Sequence, residues 1–359
     1  MPTRSETLGK AAALRALFEA QGAVVVEPPI LQPANTLLDL YGEDIRARAY
    51  VTSDALRGEQ MLRPDFTVPV VEMHMREGAE PARYTYAGEV FRRQERDPAR
   101  ANEFVQVGFE VFDRTDPAAA DAEVFALISR ALDGLSVTAV TGDIGVLMAA
   151  VNGLDTTERR KQALMRHIWR PRRFRNLLER FAGRVPVPPG RATLLAGKAK
   201  SSAPLIGSRS QAEIDARIAA LHEDAAAAPI APVQVDLIEA LLDVREVMPH
   251  ALSRLRDLAV DMPQIADAVA GVAAREAALK ARGVDTDTLL FEASYGRVSM
   301  EYYDGFVFGF RADARPDLPS VASGGRYDAL TRRLGQGDAI PAVGGVMRPG
   351  LMLELEGAP

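Results

Sequence analysis

The chain has 359 residues, is 47% hydrophobic and 26% charged, and carries a formal net charge of -6. That balance excludes a protein built mainly to coat nucleic acid, although a local basic patch stays compatible with it. With no cysteine there is no disulfide, thiolate metal site or cysteine nucleophile. His74, His167, His222 and His250 are scattered without ligand spacing, so no metal site is expected. No apolar run reaches membrane-spanning length, and "MPTRSETLGKAAALRALF" lacks a signal-peptide core. A cytoplasmic protein is the expectation, with no membrane association.

Residues 5–21 read as an amphipathic helix, with Leu8, Ala11, Leu14, Leu17 and Phe18 at helical spacing and Gly22 as its stop. "AVVVEPPIL" then reads as one strand ended by Pro28 and Pro29. A hairpin is expected around "LRGEQ", followed by a helix opening at "TVPVVEMHM". "ARYTYAGEVFRRQ" and "NEFVQVGFEVF" form an antiparallel strand pair, and "DAEVFALISRALDGL" a helix. From 151 to 285 the chain turns Ala-, Leu- and Arg-rich, with helical patterns at 207–223, 235–246 and 264–282 and no repeat period. Strand patterns return in "DTLLFEAS", "YYDGFVFGFR" and "AVGGVM". The expected architecture is α+β: a largely antiparallel sheet flanked by helices, from 1–150 and 286–359, with a mainly helical insertion over 151–285.

The strand at 104–112 raises a functional question. Val105, Val107, Phe109 and Val111 alternate onto one face, while Phe104, Gln106, Gly108, Glu110 and Phe112 share the other. Gln106 and Glu110 lie about 13 Å apart along such a strand, and Gly108 leaves the floor between them bare. One reading is a slot sized for a small amino acid; the other is a solvated sheet face with a bulge at the glycine. On the partner strand Tyr84, Tyr86, Gly88, Val90 and Arg92 share a face. Arg92 suits a ligand carboxylate, and equally a surface ion pair with Glu89, Glu95 or Asp97.

"LRPDFT", "YAGEVFRRQE", "EFVQVGFEVF", "EYYDGFVF", "SGGRYDAL" and "PAVGG" occur in the order found in histidyl-tRNA synthetases, which the chain resembles over roughly 1–130 and 290–350. "VVVEPPIL" is similar to the first class II synthetase motif, whose proline lies at a dimer interface. The resemblance implies a class II aminoacyl-tRNA synthetase-like sheet. It also implies that Asp65, Thr67 and Gln106 hold a ligand ammonium, with Glu110 on the imidazole side. Tyr303 and Tyr327 would wall the ring, and Arg92 would bridge amino acid and phosphate.

Synthetase chemistry joins two anions and needs fixed positive charge where negative charge develops. Two arginines of the family's pattern fall here on Val298 and Leu351, with Arg297 and Arg348 nearby. Pro349 and Gly350 after Arg348 are expected to spoil the usual helix start. Loss of one such charge typically costs about 10² to 10³ in rate. No anticodon-binding domain is expected after the last motif.

A core of this kind resembles the regulatory subunits of ATP phosphoribosyltransferase. The resemblance implies no catalytic residue and no cofactor in this chain. It implies a short-form catalytic subunit as partner, L-histidine as effector, a homodimer within a hetero-octamer, and no nucleic acid. The alternatives are an active histidine- and ATP-using ligase, and a scaffold with a vestigial pocket.

Two features lie outside this pattern. The basic run 158–184, with the only tryptophan, reads as a tRNA-contacting surface, a protein interface or a solvated face. "GKAKSSAP" lacks the phosphate-loop frame and reads as a loop.

Overall fold

The computed structural model describes residues 2–41, 45–94, 100–198, 206–207, 209–297 and 302–357. Val298, Glu95 and Asp97 lie outside the described residues.

The first helix runs from Arg4 to Glu19, capped by a reciprocal pair in which Thr3 accepts from the Glu6 backbone and Glu6 reaches back to Thr3. Gly22 then takes a φ of 85°, open to a residue without Cβ. The strands are β1 (Val24–Val25), β2 (Leu31–Pro33), β3 (Val51–Asp54), β4 (Gly58–Leu62), β5 (Ala82–Phe91), β6 (Glu103–Phe112), β7 (Val137–Asp143), β8 (Arg245–Val247), β9 (Leu290–Glu292), β10 (Phe306–Ala312), β11 (Ala322–Arg326) and β12 (Ala342–Met347). Nine of them form one sheet in the order β1-β5-β6-β12-β11-β10-β7-β9-β8, and β2-β4-β3 form a second. Pairing in the large sheet is antiparallel except β1 with β5 and β7 with β9. The α+β expectation holds, as do the hairpin before Gly58 and the β5–β6 pair.

Several expectations are extended or changed. The strand in "AVVVEPPIL" does end before Pro28 and Pro29, as β1 of the large sheet, and the added finding is β2 beyond the prolines, which joins the small sheet. "SVTAVTGD" contains β7, a strand pairing with both β10 and β9, which the short polar alternation concealed. "ASGGR" forms the strand β11, its glycines packed against β10 and β12. A helix does start at Pro349, with Arg348 as the residue before it. Proline at the first helical position lacks only an amide that has no intrahelical partner there.

One face of the sheet buries Phe109 against Phe18 of the first helix, with ring centroids 5.4 Å apart. The same face sets Phe306, Phe308 and Phe310 against Phe125 of the helix Pro117–Ala131. The opposite face carries Gly108, Glu110 and Gly344, and the helix Thr67–Glu77 packs over it. There His74 stacks on Phe112 and Phe66 on Tyr86, at 4.0 and 4.3 Å.

Between 151 and 285 the described chain is mainly helical but also supplies β8, which extends the large sheet at its edge. The basic run forms two helices, Glu158–Arg166 and Pro171–Phe181. Part of it is structural. Arg160 is buried and donates to Asp224 at 2.6 Å and to the Ala228 carbonyl at 2.7 Å, while Phe174, Leu178 and Phe181 enter the core. Arg172, Arg173 and Arg175 are exposed. A buried ionic network joins this region to the sheet. Arg275 of the helix Ala266–Ala281 pairs with Asp121 at 2.8 Å and Asp143 at 2.9 Å, and Arg326 pairs with Asp121 at 2.7 Å. No helix among the described residues is long and apolar enough to cross a membrane.

Candidate functional site

Three strands set the floor of the site. Across the sheet, Tyr84, Glu110 and Gly344 align in one row, and Tyr86, Gly108 and Val346 in the next. Gly88 pairs with Gln106 in the row after that. Both faces of β6 are buried here, so the solvated-face reading fails.

Glu110 is 1% exposed and accepts three hydrogen bonds. Tyr327 donates at 2.6 Å to Oε2, and Tyr86 at 2.7 Å and Thr67 at 3.1 Å to Oε1. Burial pushes its pKa up to about 7, opposed by the hydrogen bonds from Tyr327, Tyr86 and Thr67 and helped by the charge of Asp65. The same burial, with the Glu110 charge, holds the Tyr86, Tyr327 and Tyr303 hydroxyls well above the ordinary tyrosine value, so they remain donors at neutral pH. Glycine is required at 344 because a Cβ there would overlap the Glu110 carboxylate.

The bare floor expected at Gly108 is filled. A Cβ at 108 would fall inside the ring of Tyr86, which reaches across from β5 to meet Glu110. Tyr86 is therefore a member of the site that the sequence reading did not select. The pairing of Tyr86 opposite Gly108, which only the register reveals, puts a large ring beside a residue able to receive it.

Asp65 is buried just ahead of the helix Thr67–Glu77, and its Oδ1 accepts from the Val68 amide at 3.3 Å. Tyr303 is buried against Gly325, close enough that a Cβ would come within 2.8 Å of its ring. Tyr327 is fixed between Arg326, held by Asp121, and Asp328, whose amide donates to Asp304 at 2.9 Å. Asp304 is itself pushed up to about 7 by burial and by Asp328.

Gln106 differs from these. It is 0% exposed, and among the described residues neither its amide nitrogen nor its amide oxygen has a partner. A buried unpaired amide is unfavourable by about 1–3 kcal/mol, and such groups are rare in finished cores. Beyond Gln106 lie Arg92 and Arg348, whose guanidinium carbons sit 5.6 and 5.3 Å from the Phe104 ring. Among the described residues Arg92 donates through Nε to the Pro64 carbonyl at 2.7 Å, and Glu89 meets Arg4; Glu95 and Asp97 lie outside the described residues. Arg297 is elsewhere: buried, it donates to the Ile168 carbonyl at 2.8 Å and covers Phe174. Leu351 is half-buried in the last helix. The structure thus gathers Asp65, Thr67, Glu110, Tyr303 and Tyr327 at one centre, with Gln106 next along β6 and Arg92 beyond it. Among the described residues no group of three or more His, Asp or Glu could hold a metal ion.

This sheet, its buried carboxylate and its tyrosines define a histidyl-tRNA synthetase-like protein. The family model described as "Histidyl-tRNA synthetase" matches residues 3–203 and 192–349. The chain is 32% identical over 363 residues to the "ATP phosphoribosyltransferase regulatory subunit" of Brucella anthropi, covering 95% of each. It is 33% identical over 355 residues to that of Brucella ovis, covering 92% of this chain and 93% of the relative. The chain belongs to the family of ATP phosphoribosyltransferase regulatory subunits.

Two solved structures share the fold. An "ATP phosphoribosyltransferase regulatory subunit/histidyl-tRNA synthetase" from Bacillus halodurans C superposes with a TM-score of 0.71 at 20% identity, covering 100% of this chain and 81% of the other. A "Histidine--tRNA ligase subunit" from Alicyclobacillus acidocaldarius gives 0.60 at 22%, covering 98% and 93%.

Proposed function

We propose that the chain acts in histidine biosynthesis as a non-catalytic partner of a short ATP phosphoribosyltransferase catalytic subunit, required for its activity, and that free L-histidine is the effector. Histidine binds with its imidazole at Glu110, Tyr327 and Tyr303 and its ammonium at Asp65, Thr67 and Gln106, with Arg92 toward its carboxylate. The observation that carries this reading is Gln106, fully buried on the face that holds Glu110, with both amide atoms unpaired among the described residues. A polar ligand in that space would relieve the unpaired amide. Arg297 donates through Nε to the Ile168 carbonyl and covers Phe174, with its Nη2 buried and without a partner among the described residues; that placement favours a sensor over a ligase. The exposed apolar side chains Val24, Ile30 and Leu31 at the β1–β2 edge support self-association of two copies within the hetero-octamer.

Calorimetry with L-histidine tests the pocket: binding is expected, and Glu110→Ala abolishes it. Reconstitution with a short catalytic subunit tests the role, with activity expected only in the presence of this chain and suppressed by histidine. Histidine-dependent exchange of pyrophosphate into ATP by the purified chain would instead establish the ligase. Activation that histidine leaves untouched would leave a scaffold with a vestigial pocket.

A further inference from the structure

The strongest unexplained feature is the pair of guanidiniums over Phe104. Arg348 follows Met347, the β12 residue paired with Val107, so it continues the ladder beside Gln106. It is half-buried, and its guanidinium rests on Phe104 from the β12 side while Arg92 approaches the same ring from the β5 side. Among the described residues Arg348 has no side-chain hydrogen bond and no carboxylate partner. Burial, and then the like charges of Arg92 and Arg100, hold its pKa well below the usual arginine value. Two cations drawn together without a counter-charge are unfavourable. Here both lie against Phe104, two residues along β6 from Gln106, whose amide has no partner among the described residues. A guanidinium fork in that position is matched by an oxyanion.

We propose that Arg348 is a second anchor for the carboxylate of the bound amino acid, acting beside Arg92. This assignment rests on the histidine reading above. It gives the pocket a polarity along β6: a buried carboxylate for the ring at Glu110, an amide at Gln106, and paired guanidiniums at the far end. Amines lacking a carboxylate would then be rejected because they leave the two cations unneutralised.

Calorimetry on the full chain with L-histidine, L-histidinol and inorganic phosphate tests this. Wild type is expected to bind histidine at least tenfold more tightly than histidinol, which carries a hydroxymethyl group in place of the carboxylate. Arg348→Met is expected to weaken histidine by about tenfold to a hundredfold and to leave histidinol unchanged. Equal wild-type affinity for the two compounds overturns the assignment without any variant and leaves the histidine reading standing. An Arg348→Met loss shared equally by both compounds, or no loss, overturns it as well. Phosphate that binds alone and is lost in Arg348→Met, with histidine unaffected, assigns the cations to a phosphoryl group instead. A wild-type chain that binds neither amino compound overturns both this assignment and the reading beneath it.

Discussion

Arg275 and Asp121 meet at 2.8 Å between the helices Ala266–Ala281 and Pro117–Ala131, both nearly excluded from solvent. Asp121 also holds Arg326, the residue before Tyr327, so one carboxylate links the helical segment to a wall of the site. Asp121→Asn removes the carboxylate that Arg275 and Arg326 share, while each guanidinium keeps one other, Asp143 and Asp328. The expected loss is about 1–3 kcal/mol in denaturant unfolding. A loss below 1 kcal/mol would show that water already reaches the network.

Gln106→Met should separate binding from stability. The substitution keeps the volume and removes an amide with no partner. The unliganded protein is expected to gain up to about 1–3 kcal/mol while histidine affinity falls. A destabilised variant that binds normally would make Gln106 a structural residue.

Glu110 gives the pocket a pH signature. Its pKa is pushed up to about 7 by burial, and an ordinary imidazole titrates near 6.5. With histidine bound as proposed, its ring facing Glu110, the complex would hold one proton between carboxylate and ring. Above about pH 7 neither free group carries it, so binding takes one up; below about 6.5 both do, so binding releases one. Affinity is therefore expected to peak near pH 6.5–7 and fall on both sides. Tyr327→Phe removes the hydrogen bond that most lowers the Glu110 pKa, and should move the upper limb to higher pH. Calorimetry across pH 5–9 reads both effects, and affinity that still climbs above pH 8 contradicts the shared proton.

Gly344→Ala places a methyl group where the Glu110 carboxylate lies. Backbone on either side is tied into β6 and β11, so the carboxylate must move away from Tyr327. Expected are a destabilisation of about 1–3 kcal/mol and loss of histidine binding. Thermal unfolding with and without histidine measures both at once, and a persistent ligand-induced shift would count against the site.

Much of this was legible in the residue order. Alternation in "EFVQVGFEVF" placed Gln106 and Glu110 on one face, and the ordered blocks around Asp65, Thr67, Tyr303 and Tyr327 selected residues that the fold brings to one centre. The role of Tyr86 was hidden because it depends on pairing register, which a single strand does not display. β11 was hidden because paired glycines look like a turn until β10 and β12 are seen pressing on both sides. Arg348 was judged by the proline after it, whereas proline is well placed at a helix start.

The helical segment is not an accessory that could be excised. It delivers β8, which caps the sheet beside β9, and Arg275, which neutralises Asp121 and Asp143. A shortened chain with 151 joined to 285 would expose a raw sheet edge, leave Asp143 without its arginine and leave Asp121 with Arg326 alone. Engineering of this protein must therefore trim loops around that segment rather than remove it.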